Sequence, residues 1–160
     1  MNRRGLVALA LATGLLSGCA KGTFTGPSSE RAQGSEGFST EMGYCVDEIN
    51  RYRATIALPP LDRAAPLEDY ATDSARIDTA ARQPHTHFRD TNGGGVAQAE
   101  TELLLWPNAD ARAVLQQGIR TMWKEGPGGS HYDVLTGSYG TVGCGIFVDG
   151  NMMTISQDFK

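Results

Sequence analysis

The stretch from Trp123 to Val148 constrains this chain more than any other. Trp123-Lys124-Glu125 closes an amphipathic segment, the bend Gly126-Pro127-Gly128-Gly129 follows, and Ser130-His131-Tyr132 comes next. Glycine tolerates backbone angles that other residues avoid, so the bend lets Glu125 and His131 turn toward one another. Beyond it, Gly143-Cys144-Gly145-Ile146-Phe147-Val148 is apolar enough to belong only in a core. A carboxylate and an imidazole therefore sit in front of a buried segment, which points to a polar cleft.

The strongest β signal adjoins that segment. Thr141 to Val148 and Met152 to Phe159 flank Asp149-Gly150-Asn151, a sequence suited to a tight hairpin turn. Upstream the pattern is helical. Ser39 or Thr40 can cap a first helix in which Met42, Cys45, Val46, Ile49, Tyr52 and Ile56 recur at three- and four-residue spacing, until Leu58-Pro59-Pro60-Leu61 ends it. A second helix follows Pro66 with Leu67, Tyr70, Ala71, Ser74, Ala75 and Ile77 or Asp78 inward, its alanines suiting close packing, and stops near Gln83-Pro84. An apolar run, Leu103-Leu104-Leu105-Trp106, ends at Pro107. A third helix, capped by Asn108 or Asp110, carries Val114, Leu115, Gly118, Ile119, Met122 and Trp123 on one side. Helices followed by a small antiparallel sheet make a layered α+β domain.

The first residues read as an address. Arg3-Arg4, an apolar run from Gly5 to Leu16 and the small-residue ending Leu16-Ser17-Gly18-Cys19 form a secretory signal over residues 1–18, too short to span a bilayer. The Leu-Ser-Gly-Cys ending resembles a lipobox, which implies that Cys19 is lipidated and that its acyl chains attach the protein to a membrane. Ala20 is not the aspartate associated with inner-membrane retention, so an outer-membrane lipoprotein facing periplasm or exterior is expected. Residues 19–38, rich in Gly, Ser and Thr, read as a flexible tether, and residues 39–160 as the folded domain. Removing residues 1–18 lowers the 14 basic residues to 12 against 18 acidic ones, a net charge of about −6 that argues against nucleic acid as a partner. With Cys19 lipidated, Cys45 and Cys144 remain as an even pair in an oxidising compartment, which suggests one disulfide.

The polar groups able to carry chemistry are His85 or His87, Glu100 or Glu102, Glu125 and His131. Imidazoles and carboxylates together can bind Zn²⁺ or another divalent cation, run proton transfers, or form a hydrogen-bonded network that fixes loops. No compact signature such as His-Glu-x-x-His is present. Gly93-Gly94-Gly95 marks a flexible loop but lacks the Lys-Ser/Thr of a phosphate-binding loop, which argues against nucleotide binding.

The order of these pieces resembles the CAP superfamily of cysteine-rich secretory, antigen 5 and pathogenesis-related proteins. The matching segments are Glu48-Ile49-Asn50-Arg51-Tyr52-Arg53 with Leu58-Pro59-Pro60-Leu61, Ala99-Glu100, Trp123-Lys124-Glu125, His131-Tyr132 and Val142-Gly143-Cys144-Gly145. They span residues 41–159. The resemblance implies a three-layer α-β-α sandwich whose central cleft holds a His-Glu-Glu-His tetrad. Carried over, the tetrad is His87, Glu100, Glu125 and His131, with His85 and Glu102 as alternates, and these four are the expected metal ligands or catalytic groups. His87 is preferred because it lies closer to the glycine loop. Ser130 and Asp133-Val134-Leu135-Thr136 depart from the family pattern around the second histidine, and the cysteine-rich tail of eukaryotic members is missing. Three functions follow as expectations for a monomer: a module binding a divalent cation and a small-molecule, lipid or peptide ligand; a peptidase-like hydrolase using the same groups; or a structural envelope protein with a vestigial site.

Overall fold

In the computed structural model, the final strand is buried on both faces. Every residue from Met153 to Phe159 is screened from solvent, although polar and apolar side chains alternate along it. A strand with that pattern needs a layer on each side. The structure describes residues 37–107 and 110–160; residues 1–18, Cys19 and all but the end of the tether lie outside the described residues. Among the described residues no helix is long and apolar enough to cross a membrane.

The elements in order are α1 (Ser39–Ala54), β1 (Asp62–Arg63), α2 (Ala65–Ala81), α3 (Thr86–Thr91), a 3-10 turn (Asn92–Gly95), β2 (Ala99–Pro107), α4 (Ala111–Trp123), α5 (Ser130–Leu135), β3 (Thr141–Asp149) and β4 (Met152–Phe159). The four strands form one sheet in the order β1-β3-β4-β2. β3, β4 and β2 are antiparallel, while the two-residue β1 runs parallel to β3 through Asp62 opposite Thr141, so the sheet is mixed at one edge.

Register decides which layer each side chain meets. On one face β3 presents Gly143 and Gly145 beside Asp158 and Ser156 of β4, and α2 lies directly over them. A Cβ at Gly143 would fall 2.3 Å from the Glu68 nitrogen, and one at Gly145 2.1 Å from the Ala71 carbonyl carbon. The small residues Ala71, Ser74 and Ala75, each fully buried, complete this close approach. On the opposite face Val142, Cys144 and Ile146 join Ile155 and Phe159 in the main core with Met42, Cys45 and Ile49 of α1 and Leu115, Ile119 and Met122 of α4. The disulfide Cys45–Cys144, with Cα atoms 6.4 Å apart, crosslinks α1 to the sheet on this side. The result is the α-β-α sandwich: α2, then the sheet, then α1 with α4.

Several local differences from the sequence reading have physical causes. α1 ends at Ala54, and a turn with Ala57 in the left-handed region (φ 60°) follows, so Ile56 is 46% exposed instead of joining the buried face. Asn50 holds that connection by accepting from the Leu61 N–H at 2.8 Å and donating to its carbonyl at 2.9 Å. The run Leu103–Trp106 is part of strand β2, with a bulge between Leu103 and Trp106 where Leu105 takes φ 53°. The glycine loop is ordered as the 3-10 turn, with Gly93 buried. Asp110 is the cap of α4, accepting from the Arg112 and Ala113 N–H groups, and a short helix, α5, follows the glycine bend.

Candidate functional site

Pro84 and the end of α2 deliver His85 in the left-handed region (φ 60°) immediately before α3. From there its ring reaches β2, where Nδ1 lies 2.8 Å from Glu100 Oε1, and its backbone N–H donates to Glu102 Oε2 at 3.3 Å. His87, two residues on, turns elsewhere. Its Nδ1 is 3.1 Å from the Ser74 hydroxyl, its ring stacks on Tyr70 at 4.7 Å, and its N–H donates to Asp78 Oδ1 at 2.8 Å. The expectation that His87 meets the glutamates is therefore corrected to His85. The reason is that α3 begins at Thr86 and rotates His87 onto the face of α2.

Behind His85 the structure gathers two further carboxyl groups around Glu100 and Glu102: Asp78 of α2, and Asp158, which the sequence does not single out. Glu100 stands directly opposite Asp158 across the β2–β4 ladder, and Glu102 opposite Ser156, whose hydroxyl donates to Glu102 Oε1 at 3.1 Å. Asp78 of α2 closes the group from above. Asp78 and Asp158 are fully buried, and Glu100 and Glu102 nearly so. Glu100 Oε2, Asp78 Oδ2 and both Asp158 oxygens have no hydrogen-bond partner among the described residues. Burial, reinforced by Glu100, Glu102 and Asp78, pushes the Asp158 carboxyl up to about 9. Burial, with Asp78 and Glu100 adding to it, pushes Glu102 up to about 8. Asp78 is raised as well, again chiefly by burial and against the His87 N–H that favours its charged form. Carboxylates this close in a dry interior cannot all ionise, so at neutral pH the cluster holds protons and a protonated member becomes a donor. The one sequence signal was the polar alternation of Thr154, Ser156 and Asp158 along the last strand. Which face they occupied was not legible.

The second pair is built locally. α4 ends at Trp123, and Gly126 (φ 70°) and Gly128 (φ 90°) take left-handed turns that return the chain onto Glu125. The Gly128 N–H donates to Asp133 Oδ1 at 3.0 Å, which ties the bend to α5. At the start of α5, the His131 N–H donates to Glu125 Oε2 at 3.0 Å, and His131 Nδ1 lies 2.6 Å from Glu125 Oε1. The His131 hydrogen bond holds the Glu125 carboxyl below the usual range. Both side chains are about one-third exposed, so solvent screens this pair.

The four residues thus form two His–Glu pairs, His85–Glu100 and His131–Glu125. α5 packs against β2, the strand that carries Glu100, but no hydrogen bond or ion pair joins one pair to the other among the described residues. Nor, among those residues, do three His, Cys, Asp or Glu side chains gather as a ready-made metal cage. In each pair a glutamate engages Nδ1, and Nε2 makes no hydrogen bond within the described residues. A carboxylate on Nδ1 fixes the tautomer that leaves Nε2 as the available lone pair, the arrangement that orients imidazole toward a metal or a proton. Each pair therefore leaves one imidazole nitrogen, Nε2, for a further partner. Two surface grooves lie elsewhere. One of about 580 Å³ runs along Gln116, Gln117, Arg120 and Lys124 on the outside of α4, and one of about 440 Å³ lies beside Phe38, Glu41 and Arg112.

Comparison with known proteins agrees with this architecture. No curated protein matches the chain. Among solved structures, an outer surface protein from Borrelia burgdorferi is similar at 16% identity over 76% of this chain and 92% of that one, with a TM-score of 0.54. A cysteine-rich secretory protein from Staphylococcus aureus is similar at 15% identity over 76% of this chain and 39% of that longer one, with a TM-score of 0.52. At such identities the likeness speaks for the fold alone. The model of the cysteine-rich secretory protein family, CAP, matches residues 46–159, most of the chain, and the chain belongs to that family.

Proposed function

We propose that this protein is an exported binding module, attached to the outer membrane by lipid on Cys19, whose cleft takes a divalent cation and with it an extracellular or envelope ligand. The observation that carries the reading is the pairing of each imidazole with a glutamate at Nδ1, which leaves Nε2 of His85 and of His131 as the free donors. His85 and His131 would hold the ion, and Glu100 and Glu125 would orient the rings. A bound Zn²⁺ would supply a Lewis-acid centre able to polarise a ligand oxygen. Export is supported by the signal-like residues 1–18 and by relatives whose names place them on an outer surface or in secretion.

The same pairs favour a second reading as a hydrolase, since an imidazole oriented by a carboxylate is a general base. Its nucleophile is the weak point. Cys144 is in a disulfide, and Ser130 adjoins His131 in the chain without a hydrogen bond to it. Calorimetric titration of metal-free protein with Zn²⁺ should show one site that is lost in His85→Ala and in His131→Ala. Absence of binding in the unaltered protein would sink the cation reading. Turnover of an ester or peptide library that disappears in Glu125→Ala would favour the hydrolase instead.

A further inference from the structure

Arg53 is the largest fully buried side chain among the described residues, at 1% exposure, and no carboxylate pairs with it there. Its guanidinium donates to three backbone carbonyls. Nη1 reaches Leu135 O at 2.8 Å and Gly137 O at 3.1 Å, and Nε reaches Pro59 O at 3.1 Å. Leu135 is the last residue of α5, the six-residue helix that begins Ser130-His131. A helix leaves its last four carbonyls without internal partners, and they form its negative end. Here a buried cation meets that end. Only the planar, branched guanidinium can serve three acceptors spread over two segments, the turn at Pro59 and the end of α5; a single ammonium on a longer stem cannot match that geometry. Desolvation disfavours the charge, pulling Arg53 below arginine's usual range, so the carbonyl contacts must offset a penalty that an apolar residue would avoid.

The other side of α5 is held by rings. Tyr132, next to His131, packs on Trp123 at 4.8 Å, Trp123 on Tyr52 at 5.2 Å, and the Arg51 guanidinium covers Tyr52 at 4.2 Å. Arg53 and this column both rise from the last turns of α1 and grip α5 from the inside and the outside. The Glu125 contact fixes the His131 ring relative to the bend. It does not fix the helix relative to β2, where Glu100 and His85 sit.

We infer that Arg53 is a positioning residue for the cleft: by binding the carboxyl end of α5 it sets where His131 stands relative to His85. This rests on the cleft reading above. The full chain is compared with Arg53→Lys, which keeps the charge, Arg53→Met, which removes all three donors, and Arg76→Lys, on the exposed side of α2, as a surface control. Imidazole resonances are read in metal-free protein, and Zn²⁺ affinity by calorimetry. In Arg53→Lys the His131 ring resonances should shift while those of His87 stay in place, and Zn²⁺ affinity should fall about ten-fold or more, as losses of orienting contacts around a metal do. Arg76→Lys should change neither. Unchanged His131 resonances in a folded Arg53 variant would overturn the inference. If the unaltered protein fails to bind Zn²⁺, the cation reading falls while the resonances still decide the role of Arg53. Should both Arg53 variants fail to fold, amide exchange in the unaltered protein decides. α5 amides protected as well as those of α1 support the anchoring, and fast exchange across α5 overturns it.

Discussion

At the scale of single residues, the buried carboxyl cluster has a consequence for stability. Asp158 and Glu102 are raised to about 9 and about 8. Below about pH 4, the ordinary carboxyl range, both are protonated in folded and unfolded chains alike, so no penalty arises. As pH rises the unfolded chain releases those protons first, and stability falls until the folded groups also ionise near pH 8 to 9. The melting temperature should therefore drop as pH is raised from 5 to 9. Asp158→Asn, which keeps the shape without the charge, should flatten that slope and raise the melting temperature at pH 8. Thermal melts followed by circular dichroism at several pH values check this, and a wild-type midpoint that climbs toward pH 9 would contradict it. Glu100 and Glu102 were candidates from the sequence, but their meeting with Asp158 was not legible, because Asp158 looks like a surface residue near the chain's end. A strand's two faces are distinguished only by what packs on each. The choice between His85 and His87 failed for a related reason: both neighbour the same loop, and the start of α3 at Thr86 separates them.

Among the elements, the contact between α2 and β3 is the tightest. Gly145→Ala would drive a methyl into the α2 backbone, and overpacking of this kind costs about 1–3 kcal/mol or more. Gly150→Ala, in the hairpin turn, meets open space but a φ of 59°, so only a backbone penalty of about 1 kcal/mol is expected. Urea unfolding of the two variants should rank Gly145→Ala as the more damaging, and the reverse order would contradict the packing argument. The elements with a strong local signal were readable. The helix periodicity from Met42 to Ile49, the alanine face of α2 and the hairpin around Gly150 all appear as expected, because propensity, burial pattern and turn chemistry agree there. β2 was not recognised as a strand. Its inward Glu100 and Glu102 hide the alternation, and the bulge at Leu105 breaks what remains.

For the molecule as a whole, the Cys45–Cys144 bridge closes a loop with a sequence separation of 99, worth about 4–5 kcal/mol in the chain-entropy model. Reduction under conditions that leave the fold intact should lower the urea midpoint accordingly, and an unchanged midpoint would mean the bridge contributes little. By itself the sequence determined what is local or countable. It settled the types of α1, α2, α4, β3 and β4, the pairing of Cys45 with Cys144, and the approach of Glu125 to His131 across six residues, since a glycine bend can close so short a span without help. The tertiary structure alone decided what depends on partners far apart in the chain. It chose His85 over His87, set Asp158 against Glu100, and buried Arg53 beneath α5, because register across the sheet and the seating of α2 and α1 on its faces assign those neighbours.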